Sequence, residues 1–111
     1  MSKHLVTGSS GYLGSSIVRK LYKLGHEVVS LDIIEDNEIS KISKFYKVDI
    51  SNNDYNYKKI FSGVDSVHHN AALVPLTKAG VNFNKANVIG TENILQVSIE
   101  NNVQHFSHMS S

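Results

Sequence analysis

Three glycines at intervals of three, Gly8, Gly11 and Gly14, stand between a short apolar segment, His4-Leu5-Val6, and the start of an amphipathic stripe. No other feature of the chain constrains its fold as strongly. From Tyr12 to Leu24 the residues Leu13, Ile17, Val18, Leu21 and Leu24 recur at helical spacing, and Gly25 supplies a stop. A buried strand therefore runs into a glycine loop that opens a helix. In that context each glycine has its own use: a tight turn at Gly8, a Cβ-free approach of backbone to a pyrophosphate at Gly11, and close helix–strand packing at Gly14. The helix start adds unpaired N–H groups and the positive end of a dipole. A nucleoside-triphosphate P-loop does not fit, because Gly14 is followed by Ser15-Ser16 where Lys is required.

The rest of the chain continues the alternation. Glu27 to Asp32 reads as a second strand, Ile33 to Lys44 as a surface connection, and Phe45 to Ile50 as a third strand. Ser51-Asn52-Asn53-Asp54 has the form of a capping box before a short helix holding Tyr55, Ile60 and Phe61, closed by Gly63. Val64 to Asn70 is the fourth strand, Leu73 to Asn82 a loop with the only proline, and Asn84 to Glu100 a longer helix stopped by Asn101-Asn102. Val103 to Met109 makes the fifth strand, with Ser110-Ser111 at its C-terminal end. Strands alternating with helices predict one α/β domain over residues 1–111: a Rossmann-type parallel sheet of five strands, order 3-2-1-4-5, covered on both faces.

Asp32 ends the second strand 18 residues after Gly14 (32 − 14), where the adenosine ribose of a dinucleotide would sit. A carboxylate there accepts the ribose hydroxyl protons and repels a 2′-phosphate, and no Arg or Lys adjoins it. NAD is thus favoured over NADP. The plainer alternative is a solvated aspartate at a strand end.

Composition removes several other functions. The 111 residues carry 11 Lys+Arg against 10 Asp+Glu, a net charge of +1, with no basic run to engage a phosphate backbone or an anionic membrane. Neither nucleic acid nor membrane is an expected partner. The absence of Cys excludes disulfides, thiolate nucleophiles and Cys-based metal sites, and fits a reducing compartment. No apolar run approaches a membrane span, and Met1-Ser2-Lys3-His4 leads into a strand without a signal-peptide pattern, so a cytoplasmic location is expected. Neighbouring His68 and His69 face opposite sides of a strand, as do His105 and His108, so neither pair chelates and no metal is expected.

The Gly-x-x-Gly-x-x-Gly spacing is followed in order by Val48-Asp49-Ile50, His68-His69-Asn70-Ala71-Ala72, Asn87-Val88-Ile89-Gly90-Thr91-Glu92-Asn93-Ile94-Leu95 and His108-Met109-Ser110-Ser111. Together these stretches resemble the extended short-chain dehydrogenase/reductases, the NAD-dependent epimerase/dehydratase family, over the whole chain. The resemblance implies that Gly8, Gly11, Tyr12, Leu13 and Gly14 hold a pyrophosphate and Asp32 the adenosine ribose. It gives Asp49 the adenine amino group, Ile50 the adenine ring, and Asn70, Ala71 and Ala72 the nicotinamide-side ribose. Asn87 resembles the helix Asn near the cofactor, and Ser111 the Ser/Thr that hydrogen-bonds the reacting oxygen. Asn87, Gly90, Thr91 and Ile94 share one helix face, so that Gly90 would let the helix approach the sheet. For Asn87 the alternative is a buried polar group serving a neighbouring backbone, and for Ser111 a turn former.

In this family the Ser works with a Tyr-x-x-x-Lys helix farther along the chain, the Tyr acting as general acid or base. Tyr55-Asn56-Tyr57-Lys58-Lys59 satisfies the pattern formally but lies on the adenine side, before Ser111. Motif order therefore predicts an N-terminal portion of a longer oxidoreductase, truncated at its C-terminal side, with the substrate domain absent. The full-length form would transfer hydride at a secondary alcohol, of a nucleotide sugar or a related substrate such as a steroid 3-hydroxyl. It is compatible with a homodimer. The competing reading is a non-catalytic dinucleotide-binding module or redox sensor. By itself the 111-residue chain is expected to bind NAD weakly or not at all and to turn nothing over.

Overall fold

The computed structural model describes residues 2–71 and 80–110, with the backbone alone at residues 71, 80–87 and 110. Leu5 and Val6, adjacent in β1 (Lys3–Thr7), are both fully buried, because successive side chains of a strand point to opposite faces and both faces are covered here. Leu5 enters a core built with Val29, Leu31, Phe61, Val67 and Ile94. Val6 enters the other, with Val18, Leu21, Val28 and Ile39.

Around β1 the elements follow as α1 (Tyr12–Lys23), β2 (Glu27–Asp32), α2 (Asn37–Ile42), β3 (Lys44–Lys47), α3 (Tyr57–Ile60), β4 (Ser66–Ala71), α4 (Gly80–Glu100) and β5 (His105–Ser110). The strands form one five-stranded sheet, β3-β2-β1-β4-β5, and each neighbouring pair is parallel. This is the expected order. Residues of α1 and α2 close one core and residues of α3 and α4 the other, so the sheet lies between two helical layers. The expected stops hold: Gly25 has φ +84°, Gly63 φ +75°, and Asn102, after α4, φ +58°.

Several boundaries differ from expectation for local reasons. The stretch read as a surface connection contains α2, started by Asp36, whose Oδ1 accepts from the Glu38 and Ile39 N–H at 2.9 and 3.2 Å. Only Ile39 of this helix is buried, so there was no apolar period to read. The third strand stops at Lys47 rather than Ile50, and Ser51 is not a helix cap. Its N–H and hydroxyl instead donate to Asp49 Oδ1, at 3.0 and 2.7 Å, while Asn56 starts α3 by accepting from the Lys59 N–H at 3.2 Å. Gly80 to Asn82, expected as loop, begin α4; residues 73–79 of that expected loop lie outside the described residues. At the far end Val103 still donates to Ser98 O at 3.0 Å, and Gln104 and His105 both donate to Asp65 O, which delays β5 to His105.

Between β1 and β4, His4 Nδ1 and His68 Nε2 are 2.9 Å apart, with the His26 ring centred 4.8 Å from that of His4. Burial, then the neighbouring His68 and His26, lower the pKa of His4 against the opposing pull of Asp65. Burial also lowers that of His68, and burial with His108 takes His69 down to about 4. The unfolded chain, with histidines near 6.5, binds more protons than the folded one below that pH. Stability is therefore complete above about pH 7 and is lost as pH falls through 6.5 toward 4. For His69 the gap corresponds to roughly 3 kcal/mol once both states are protonated. Urea midpoints are expected to be level from about pH 7 to 8 and to drop between about 6.5 and 5; a midpoint rising on acidification would contradict the histidine assignments.

Candidate functional site

The C-terminal ends of β1, β2 and β4 meet at the glycine loop. Gly8 follows β1 with φ +62°, and its carbonyl accepts from the Gly11 N–H at 3.1 Å. A β-carbon at Gly14 would lie 2.0 Å from the Gly8 carbonyl oxygen, a separation no side chain permits. One at Gly11 would sit 3.3 Å from the same oxygen. The expected helix–strand packing at Gly14 is thus packing of α1 onto the loop itself. Ser9 is buried and tied to Leu31 O by both its N–H and its hydroxyl. Gly11 caps α1 without a side chain, and the first turn contains no acidic residue. The earliest helical bond is Ser15 N–H to Gly11 O at 2.9 Å, and no described residue accepts from the N–H of Tyr12, Leu13 or Gly14. Those three donors lie at the positive end of the helix, a chemistry suited to an anion. The Tyr12 ring is 94% exposed, so it covers none of them from within the core.

Asp32, at the end of β2, has a role that its spacing alone does not reveal. Its Oδ2 accepts from the Ser10 N–H at 2.9 Å and its Oδ1 from the Ile34 N–H at 3.2 Å. The carboxylate fastens the glycine loop while remaining half-buried, so lone pairs stay available to a hydroxylated ligand. Val48 N–H donates to Asp32 O at 3.0 Å, which carries Asp49 and Ile50 past the same end of the sheet. Asp49 is exposed, its Oδ1 taken by Ser51. Ile50 packs on α4, where a β-carbon at Gly90 would lie 2.7 Å from its Cγ1, and Asn93 Nδ2 donates to Ile50 O at 2.9 Å. Gly90 therefore serves contact with the Ile50 loop, not the approach to the sheet expected from the helix face.

Between β1 and β4 the registered pairs end at Val6 and His68, and side chains take over. The Asn70 N–H donates to Thr7 Oγ1 at 3.1 Å, and Asn70 Nδ2 to Thr7 O at 2.7 Å. Asn70 Oδ1 is buried without a hydrogen-bond partner among the described residues. His69, 1% exposed, lies between Thr7 Oγ1 at 2.7 Å and Thr91 Oγ1 at 2.8 Å. Neither Thr7 nor the burial of His69 is marked by any periodicity in the sequence. A hydroxyl just before Gly8 was the one signal present.

Gly8, Gly11, Tyr12, Leu13, Gly14, Asp32, Asp49, Ile50 and Asn70 all fall on segments at the C-terminal edge of the sheet. Ala71 closes β4, paired with Ser110. Asn87 lies on α4 one turn before Thr91, with its side chain outside the described residues, as are Ala72 and Ser111. Tyr55 precedes α3 and Lys59 lies inside it; the Tyr55 hydroxyl accepts from the Asp49 N–H at 3.2 Å, so this pair does not share a helix face. Among the described residues no group of three or more His, Asp or Glu could hold a metal ion. No described helix is long and apolar enough to cross a membrane.

N–H groups and an Asn70 oxygen that have no partner among the described residues, beside a Cβ-free loop and a carboxylate one strand away, fit a diphosphate carrying ribose hydroxyls. An open parallel sheet with this loop at its switch point is a dinucleotide-binding type of α/β fold. Residues 4–111 match the NAD dependent epimerase/dehydratase family, and the chain belongs to it. A UDP-glucose 4-epimerase of Lactobacillus helveticus is 35% identical over 117 residues, covering 98% of this chain and 35% of its own length. A 3-beta-hydroxysteroid dehydrogenase of Mycolicibacterium neoaurum is 29% identical, covering all of this chain and 32% of that protein. Among solved structures, the UDP-glucose 4-epimerase of Thermotoga maritima with UDP-glucose superposes with TM-score 0.83 at 27% identity, over 96% of this chain and 37% of that one. The Stenotrophomonas maltophila enzyme with bound NAD and formylated UDP-arabinopyranose gives 0.83 at 25%, over 97% and 36%. The chain thus spans about a third of the length of such relatives.

Replacing Gly14 by Ala is expected to destabilise the chain by at least about 2 kcal/mol, since backbone faces the new methyl group and neither side can yield cheaply. Gly25→Ala, with open space around a positive φ, should cost only about 1 kcal/mol. Urea denaturation of the two variants checks the ranking, and equal losses would contradict the packing described.

Proposed function

We propose that this chain is the cofactor-binding part of an NAD-dependent oxidoreductase of the epimerase/dehydratase type, whose full-length form acts on a secondary alcohol of a nucleotide sugar. The observation that carries the reading is the uncapped first turn of α1 beside Asp32, joined through the Asp32–Ser10 bond. In it, the N–H groups of the Gly11-Tyr12-Leu13-Gly14 turn hold the pyrophosphate, with Gly8 and Gly11 leaving room for it. Asp32 accepts from the adenosine ribose, Asp49 from the adenine amino group, and Ile50 lies against the ring. Asn70, Ala71 and Ala72 line the second ribose, with Asn70 Oδ1 gaining a donor that it lacks among the described residues, and Asn87 stands near the cofactor from α4. Ser111 hydrogen-bonds the reacting oxygen. Bound NAD would supply a hydride acceptor for the carbon bearing the alcohol. The relatives named as UDP-glucose 4-epimerases support the nucleotide sugar as substrate class.

The carboxylate of Asp32, which no Arg or Lys adjoins in the sequence although Lys47 of β3 is its registered neighbour across the sheet, favours NAD over NADP by repelling the 2′-phosphate. Because the glycine turn, Asp32 and Asn70 all lie within the 111 residues, of the two outcomes expected from the sequence we propose weak binding of NAD by this chain rather than none, and an NMR-detected titration reads even millimolar affinity. NAD is expected to bind at least about tenfold more tightly than NADP, corresponding to about 1.4 kcal/mol. Asp32→Asn keeps an acceptor for Ser10 while removing the charge and should narrow the difference to about twofold or less. Equal affinities in the unsubstituted chain, or a preference that Asp32→Asn leaves intact, would contradict the assignment.

A further inference from the structure

The registered main-chain pairing of β1 with β4 stops at Val6 and His68, one residue before the glycine loop begins to form. From there the spacing of the two strand ends is set by side chains. Thr7 Oγ1 receives the Asn70 N–H and contacts His69 Nδ1 at 2.7 Å, while His69 Nε2 reaches Thr91 Oγ1 on α4 at 2.8 Å. The His69 ring is buried and stacked against Phe106 and His108 of β5. Desolvation holds its pKa down at about 4, so at neutral pH the ring carries one N–H and one lone pair, with a hydroxyl at each nitrogen. In the arrangement that leaves no proton idle, Thr7 accepts from Asn70 and donates to Nδ1, and Nε2–H donates to Thr91. An aliphatic side chain would fill this volume but join nothing.

We propose that His69 is a positioning residue for the cofactor crevice: clamped between Thr7 and Thr91, it fixes the ends of β1 and β4 and the seat of α4 across them without touching the cofactor. The inference rests on the reading that this crevice holds the dinucleotide. Through Thr7 it orients Asn70, whose Oδ1 is left buried and unpartnered among the described residues, and through Thr91 it holds the helix one turn beyond Asn87. Loss of the Thr91 hydroxyl strands the Nε2–H in a buried site, although Thr91 itself is far along the relay from the glycine loop.

Thr91→Val preserves shape and removes the hydroxyl, and Thr91→Ser restores it. Both are to be compared with the unsubstituted 111-residue chain by NMR titration with NAD, about 15 °C or more below each melting temperature so that unfolding does not enter. Long-range imidazole correlations are expected to show His69 as the Nε2–H tautomer in the unsubstituted chain. Thr91→Val should shift the Asn70 side-chain amide signals and weaken NAD about tenfold, the size of one buried hydrogen bond, with Thr91→Ser returning affinity to within about twofold. A lower melting temperature with unchanged NAD affinity would show a purely structural contact and overturn the proposal. So would an Nδ1–H tautomer with unmoved Asn70 signals. If the unsubstituted chain shows no NAD binding, the cofactor reading itself fails and this inference with it, a result separable from the others because it needs no variant.

Discussion

At Gly14 a β-carbon would stand 2.0 Å from the carbonyl oxygen of Gly8, so α1 begins where it does only because that position has no side chain. The contact seats the first turn of α1 directly on the loop that leaves β1, and the sheet's C-terminal edge is organised around it. With the helix so close, the N–H groups of Tyr12, Leu13 and Gly14 find no acceptor among the described residues at the positive end of α1. Asp32 completes the construction from the next strand by accepting from Ser10. One steric fact thus links the glycine spacing in the sequence to the uncapped first turn of α1.

The second constraint acts across the crevice between β1 and β4. There the ladder ends and polar side chains bridge the gap, with Thr7 serving Asn70 twice and His69 once. Buried polar links of this kind stabilise only when every partner is met. His69 meets that condition by staying neutral, and Asn70 Oδ1 alone does not meet it among the described residues. An unmet acceptor at the mouth of an open α/β sheet, beside a turn of free donors, is where a ligand would contribute what the chain lacks.

Sequence alone conveyed much of this. Glycine spacing, the Leu13 to Leu24 stripe and the Val-rich second strand have strong periods, and β1, α1, β2 and the strand order follow from them. Elements that bury little left little pattern: α2 contributes Ile39 alone, and the Ser51 stretch resolves its polar groups in successive turns before Asn56 starts α3. The site was legible where a backbone requirement selects a residue type, at Gly8 and Gly14, and where charge ends a strand, at Asp32. What stayed hidden was relational. That Asp32 also fastens the loop, that Gly90 accommodates Ile50, and that His69 joins two threonines 84 residues apart (91 − 7) depends on pairings between distant segments that no local pattern encodes.

The C-terminal edge of this sheet is proposed to receive a dinucleotide along one continuous track from the glycine loop to Asn70. Backbone amide shifts of the 111-residue chain recorded during addition of NAD test it most directly. Perturbations are expected at residues 8–14, at Asp32, at Asp49 and Ile50 and at Asn70, with the opposite edge around Lys3, Gly63 and Asp65 unmoved. Shifts confined to that opposite edge, or no saturable shifts at all, would contradict it.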